Sequence, residues 1–131
     1  MNAGNGQYRN PMQRARGLGS AKSGTGHFWW QRVTAIALIP LVAWFIGLLV
    51  SLIGADLESV RVALARPLNA ILCALFVIAL FWHSKLGLQV VIEDYVHTRA
   101  AEVTLQLIVT LACAVGAFAS LYANGRIALM A

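Results

Sequence analysis

His83 closes an uncharged run that begins at Pro67, and Gly87, Asp94 and Tyr95 follow it. A polar ring next to so much apolar chain needs a reason, because an unpaired imidazole in hydrocarbon is costly. Ionisable groups in such segments mark pathways, relays or ligand sites. On a helix, Gly87 falls about 40° around from His83, and Asp94 about 20°. One face then carries an imidazole, an absent side chain and a carboxylate, with the Tyr95 phenol at the exit. That set suits a flat cofactor bound through His83 and a small polar molecule held near the surface by Tyr95. Neutral imidazole is a good axial ligand for haem iron. A low-spin electron-transfer haem needs a second axial ligand. The other histidines, His27 and His97, lie outside the apolar runs, so that ligand would come from another polypeptide. On the residues alone an alternative stays open, in which His83 only bonds to a neighbouring helix.

A phenol can donate a hydrogen bond to a quinone carbonyl oxygen. A neighbouring carboxylate can orient it or help carry protons to a reduced quinone. Tyr95 and Asp94 form such a pair; the plain alternative is an interfacial tyrosine at a charged helix end. Arg32, at the mouth of the first apolar run, suits a haem propionate or a partly reduced, anionic quinone. It also serves as an orienting charge, and the two roles coexist. His27 offers a second propionate contact. Lys85 lies about 200° from His83 and is expected to reach toward headgroups instead. No nucleophile–base pair, zinc spacing or dinucleotide fingerprint is present. The Gly17–Gly24 stretch lacks the glycine directly before Lys22 that a phosphate loop requires, so its expected use is packing against another polypeptide.

The elements that must position these residues follow from hydropathy. The chain has 131 residues, 60% hydrophobic and 11% charged, and its mean hydropathy is +0.72. The apolar residues gather into three long runs without polar faces at helical spacing, which argues against a soluble bundle. The expected fold is all-α: an integral membrane protein with three transmembrane helices, over residues 33–53, 67–92 and 103–122. Residues 1–26 form a basic, Gly/Ser-rich arm, and 27–131 the three-helix anchor. Arg9, Arg14, Arg16, Lys22 and Arg32 precede or open the first span with no acid among them, whereas the loop before Pro67 carries two acids and two arginines. The basic excess therefore places the N-terminus in the cytoplasm and, with three spans, the C-terminus in the periplasm. Next to a span, such an arm reads as an orienting and lipid-touching segment, not as a nucleic-acid binder. The first thirty or so residues are polar, with no cleavable signal peptide expected, so the first span itself directs insertion. Cys73 and Cys113 lie in different runs and read as small buried hydrophobes.

The pattern His83-x3-Gly87-x6-Asp94-Tyr95 resembles the second-span signature of the hydrophobic membrane anchor of bacterial succinate dehydrogenase, or complex II. The Gly17–Gly24 stretch with His27-Phe28-Trp29 and Arg32-Val33-Thr34-Ala35 is similar to the N-terminal region of the alphaproteobacterial type. The resemblance covers about residues 15 to 97. It implies a bacterial inner-membrane protein with no complete active site of its own. Its partners would be a flavoprotein, an iron–sulfur protein and a second, cytochrome b556-type membrane anchor. It implies haem b shared between His83 and that second anchor, ubiquinone bonded by Tyr95, and Arg32 near the haem propionates. His27 is offset by one residue from the usual spacing to that arginine. Alternatives are the anchor of a fumarate reductase, or a structural or transport component without a cofactor.

Overall fold

The computed structural model describes residues 22–130, with side chains from Thr25 onward. Four helices follow one another: α1 Lys22–Ser51, α2 Leu57–Ala65, α3 Pro67–Tyr95 and α4 Arg99–Met130. Three segments, Thr25–Ser51 within α1 and the whole of α3 and α4, are long and apolar enough to cross a membrane. The all-α, three-span class read from hydropathy is the one the chain adopts. The basic arm with Arg9, Arg14 and Arg16, and the Gly17–Ala21 part of the glycine-rich stretch, lie outside the described residues.

Each helix overruns the apolar run that announces it. α1 begins at Lys22, α3 continues to Tyr95, and α4 passes through Asn124-Gly125-Arg126 to Met130. Hydropathy marks only the part of a helix that meets hydrocarbon, whereas the backbone ladder runs on through the headgroup region. Gly125 does not stop α4. A glycine ends a helix by taking positive φ, and among the described residues only Gly54 does so, at φ 78°. The 29 residues of α3 span about 43 Å, against a hydrocarbon core of roughly 30 Å. Such a helix tilts or protrudes, and the polar set Asp94–Tyr95 sits at its last turn.

The segment between the first two spans, read from the sequence as a plain loop, contains the short helix α2. Asp56 caps it, with Oδ1 accepting from the Ser59 amide at 3.4 Å. Pro67 then opens α3, where its missing N–H matters least for α3 itself. That missing N–H would otherwise serve the Ala63 carbonyl, four residues back. Asn69 Nδ2 takes its place, donating to the Ala63 carbonyl at 2.8 Å.

Helix α3 is the middle of a three-helix layer. It packs against α1 on one side and α4 on the other, and α1 and α4 do not touch among the described residues. On the α1 side, Phe76 stacks on Phe45 with ring centroids 4.7 Å apart. On the α4 side, Asn124 Nδ2 donates to the Ala70 carbonyl at 2.9 Å. Phe81 presses into Gly116, where an added Cβ would lie 2.6 Å from the ring. Among the described residues only Thr34, Cys73, Leu86 and Ile92 are buried. This chain alone has little interior; its large apolar side chains face outward, toward lipid or partner.

Candidate functional site

Helix α1 brings one hydroxyl to His83. Thr34 is the buried polar residue of the described chain, and its Oγ1 lies 3.0 Å from His83 Nδ1. The same oxygen lies 2.8 Å from the Trp30 carbonyl and 3.1 Å from the Gln31 carbonyl. A threonine hydroxyl has one proton and two lone pairs. In a helix that proton commonly goes back to the preceding turn, and the Trp30 carbonyl is the nearest acceptor. Oγ1 then accepts from His83, which places the imidazole proton on Nδ1 and a lone pair on Nε2. Nε2 has no hydrogen-bond partner among the described residues. The imidazole therefore does bond to a neighbouring helix, as the cofactor-free reading required, but through one nitrogen only. The other keeps the lone pair that a metal ligand needs.

Thr34 continues a polar seam along α1. His27, Gln31 and Thr34 fall within about 60° of one another around the helix. An added Cβ on Gly87 would meet Gln31 Nε2 at 3.8 Å, an ordinary contact. So the space at Gly87, expected as clearance for a flat ligand, adjoins the Gln31 amide. His27 Nε2 is shielded from solvent and has no partner among the described residues, which is unusual for a ring nitrogen. Beside the seam runs an apolar groove of about 460 Å³ between α1 and α3, lined by Trp30, Val33, Thr34, Ala37, Leu75 and Trp82 among others. Trp30 and Trp82 pack at 6.1 Å, tilted by 56°. Trp30, read from the sequence as part of an interfacial belt, thus also joins α1 to α3.

The remaining candidates sit at the end of the layer where α1 begins and α3 ends. Tyr95 is the last residue of α3 and 79% exposed; Asp94 beside it is exposed. Arg32 is exposed, with its guanidinium 5.0 Å above the Phe28 ring. Lys85 lies 5.8 Å from the Trp82 ring, occupied with its own helix and not with His83. The fold thus divides the candidates into the His83–Thr34 pair and a rim of His27, Arg32, Asp94 and Tyr95 nearer the end of the layer. His83 and Asp94 are eleven positions apart, about 16 Å along α3, whereas on α1 Arg32 stands only two positions from Thr34.

Sequence reasoning singled out His83 but gave Thr34 no role. A signal was available: between Val33 and Ile53 the polar side chains are Thr34 and Ser51, and only Thr34 lies near the His83 end. No cluster of three or more His, Cys, Asp or Glu side chains forms among the described residues. A haem asks for no such cluster, since the porphyrin supplies the equatorial nitrogens and the protein only axial ones. An unpartnered His83 Nε2 fits that demand, and the orphaned His27 nitrogen suits a propionate contact instead.

Known proteins are similar to this chain in sequence. Residues 6–119 match the family described as succinate dehydrogenase/fumarate reductase transmembrane subunit. The chain is 36% identical over 104 residues to the succinate dehydrogenase hydrophobic membrane anchor subunit of Rickettsia bellii, covering 79% of this chain and 83% of that one. It is 36% identical to the protein of the same name in Paracoccus denitrificans, covering 78% and 81%. The succinate dehydrogenase membrane anchor subunit of Reclinomonas americana is 37% identical over 79 residues, covering 58% and 66%. No solved structure is detectably similar.

Proposed function

The chain belongs to the succinate dehydrogenase/fumarate reductase transmembrane subunit family, as a succinate dehydrogenase membrane anchor, and from that premise we propose that it binds haem b through His83 and helps to form a ubiquinone-reduction site around Tyr95. The observation that carries this reading is the His83 ring, with Nδ1 3.0 Å from Thr34 Oγ1 and Nε2 without a hydrogen-bond partner among the described residues. Haem b, when bound, supplies a one-electron carrier within the membrane. A second anchor of the cytochrome b556 type would supply the other ligand. Arg32 and His27, at the rim, face the propionate side. Arg32 does so as a permanent cation and His27 as a ring with a nitrogen to spare.

Tyr95 holds a phenolic proton where a quinone headgroup can meet it at the end of α3. Its Oη donates to a quinone carbonyl oxygen, and Asp94 beside it relays protons as two electrons arrive from an iron–sulfur protein on that side. Lys22, Arg32, Lys85 and Arg99 lie toward this end of their helices, and Arg9, Arg14 and Arg16 precede α1 in the sequence. The charge asymmetry supports a cytoplasmic position for it in a bacterial inner membrane, the side on which a flavoprotein and an iron–sulfur protein would dock. The family also contains fumarate reductase anchors; the relatives in Rickettsia, Paracoccus and Reclinomonas are succinate dehydrogenase anchors, and they favour that assignment.

The test is a reduced-minus-oxidised spectrum of the complex purified from membranes. A b-type haem signal is expected in the parent and absent in His83→Ala with the chain still inserted. An unchanged spectrum in that variant rejects ligation by His83. For the quinone site, Tyr95→Phe is expected to slow quinone reduction while succinate oxidation by a soluble acceptor stays near the parent rate. Equal loss of both would make Tyr95 an assembly residue.

A further inference from the structure

We propose that Thr34 is a positioning residue for the haem ligand: it fixes the orientation and tautomer of His83 and strengthens Nε2 as an electron donor. The inference rests on the reading that His83 ligates haem b, and goes beyond it by naming the group that tunes the ligand.

Three observations carry it. Thr34 Oγ1 lies 3.0 Å from His83 Nδ1, from a different helix, so the contact locks ring rotation to helix packing. The hydroxyl proton is engaged by the Trp30 carbonyl at 2.8 Å. A hydroxyl that donates one hydrogen bond accepts the next more strongly, so the carbonyl, hydroxyl and imidazole polarise one another in series. Thr34 is also buried, which keeps water from replacing it as the acceptor for Nδ1–H. A hydrogen bond accepted from the distal nitrogen of a ligating imidazole raises the basicity of the other nitrogen. A more basic axial nitrogen favours the oxidised iron, which carries the higher charge. Thr34 should therefore hold the haem potential below the value that His83 alone would give.

The experiment compares the whole membrane complex carrying Thr34→Val, Thr34→Ser or His83→Ala with the parent. Haem per anchor chain, the reduced-minus-oxidised spectrum and the midpoint potential from a redox titration are read for each. Thr34→Val keeps the volume and removes the acceptor. It is expected to lower haem affinity about 10- to 100-fold, seen as haem lost on dilution in detergent, and to raise the potential of the haem that remains. A tenfold change in relative affinity for the two iron states corresponds to about 59 mV for one electron. Thr34→Ser keeps the hydroxyl and is expected to restore the parent potential. If Thr34→Val does not accumulate, Thr34→Ala makes the same comparison with Thr34→Ser in a smaller side chain. A variant lacking the hydroxyl but with the parent potential overturns the proposal, as does a shift that Thr34→Ser shares in full. These outcomes separate from failure of the parent reading: a complex without b-type haem, or with haem that survives His83→Ala, removes the ligand itself.

Discussion

Gly87 and Gly116 both lie on α3–neighbour contacts, yet they tolerate change differently. At Gly116 a Cβ would lie 2.6 Å and 2.8 Å from two atoms of the Phe81 ring, far inside contact distance. Gly116→Ala must push that ring aside, at about 1–3 kcal/mol for an overpacked site. The expected result is a lower melting temperature of the purified complex, largely recovered when Phe81→Leu is added. At Gly87 a Cβ meets Gln31 Nε2 at 3.8 Å, so Gly87→Ala should leave the melting temperature within error of the parent. A large loss there would mean that the space at Gly87 is filled by something beyond this chain. Polar contacts weigh less. The Asn124 bond to the Ala70 carbonyl joins α4 to α3, but side-chain hydrogen bonds between membrane helices average only about 0.6 kcal/mol. Asn124→Leu should therefore destabilise less than Gly116→Ala, and the same melting measurement ranks them.

At the scale of elements, α2 is held by its ends. Asp56 provides the N-cap, and the hydrogen bonds it accepts from Ser59, foremost the side chain's, hold its carboxyl below the ordinary value of 3.8. A carboxylate whose folded pKa is depressed stabilises the cap above the unfolded value, and that contribution is lost as pH falls through the folded one. The amide of Ser59 should thus stay protected from hydrogen exchange, relative to its intrinsic rate, at neutral pH. Protection should fade on acidification below 3.8, and Asp56→Ala should remove it at every pH. Protection that does not follow pH would assign the order of α2 to its packing on α3 and α4 instead. At the other end, Asn69 serves the carbonyl that Pro67 leaves without its helical donor.

The whole molecule is a layer with α3 shared between two neighbours that do not meet among the described residues. A layer of this kind exposes apolar side chains on both faces, among them Leu75, Ile78 and Leu111. On the proposed reading His83 supplies one axial nitrogen, and a six-coordinate haem would need a second chain. Expressed without the second anchor, this chain should reach the membrane yet show no low-spin b-type spectrum, and co-expression should restore it. A low-spin spectrum from this chain alone would place both ligands within it. The charge asymmetry predicts that a reporter fused after Ala131 is active only if it works in the periplasm; cytoplasmic activity would invert the orientation.

Three apolar spans, and a histidine within the second of them, were legible in the sequence, because hydropathy and charge are summed locally along the chain. Arg32, Asp94 and Tyr95 were singled out for the same reason: each stands where an apolar run gives way to polar chain. What the sequence could not supply was phase. The spans are apolar nearly all the way round, so no stripe tells which side of α3 meets α1 and which meets α4. The partnership of Thr34 with His83, the opposite fates of Gly87 and Gly116, and the absence of an α1–α4 contact among the described residues follow from that rotation. So does the polar contact on which the imidazole tautomer depends, the Thr34 hydroxyl that packing brings within 3.0 Å of Nδ1.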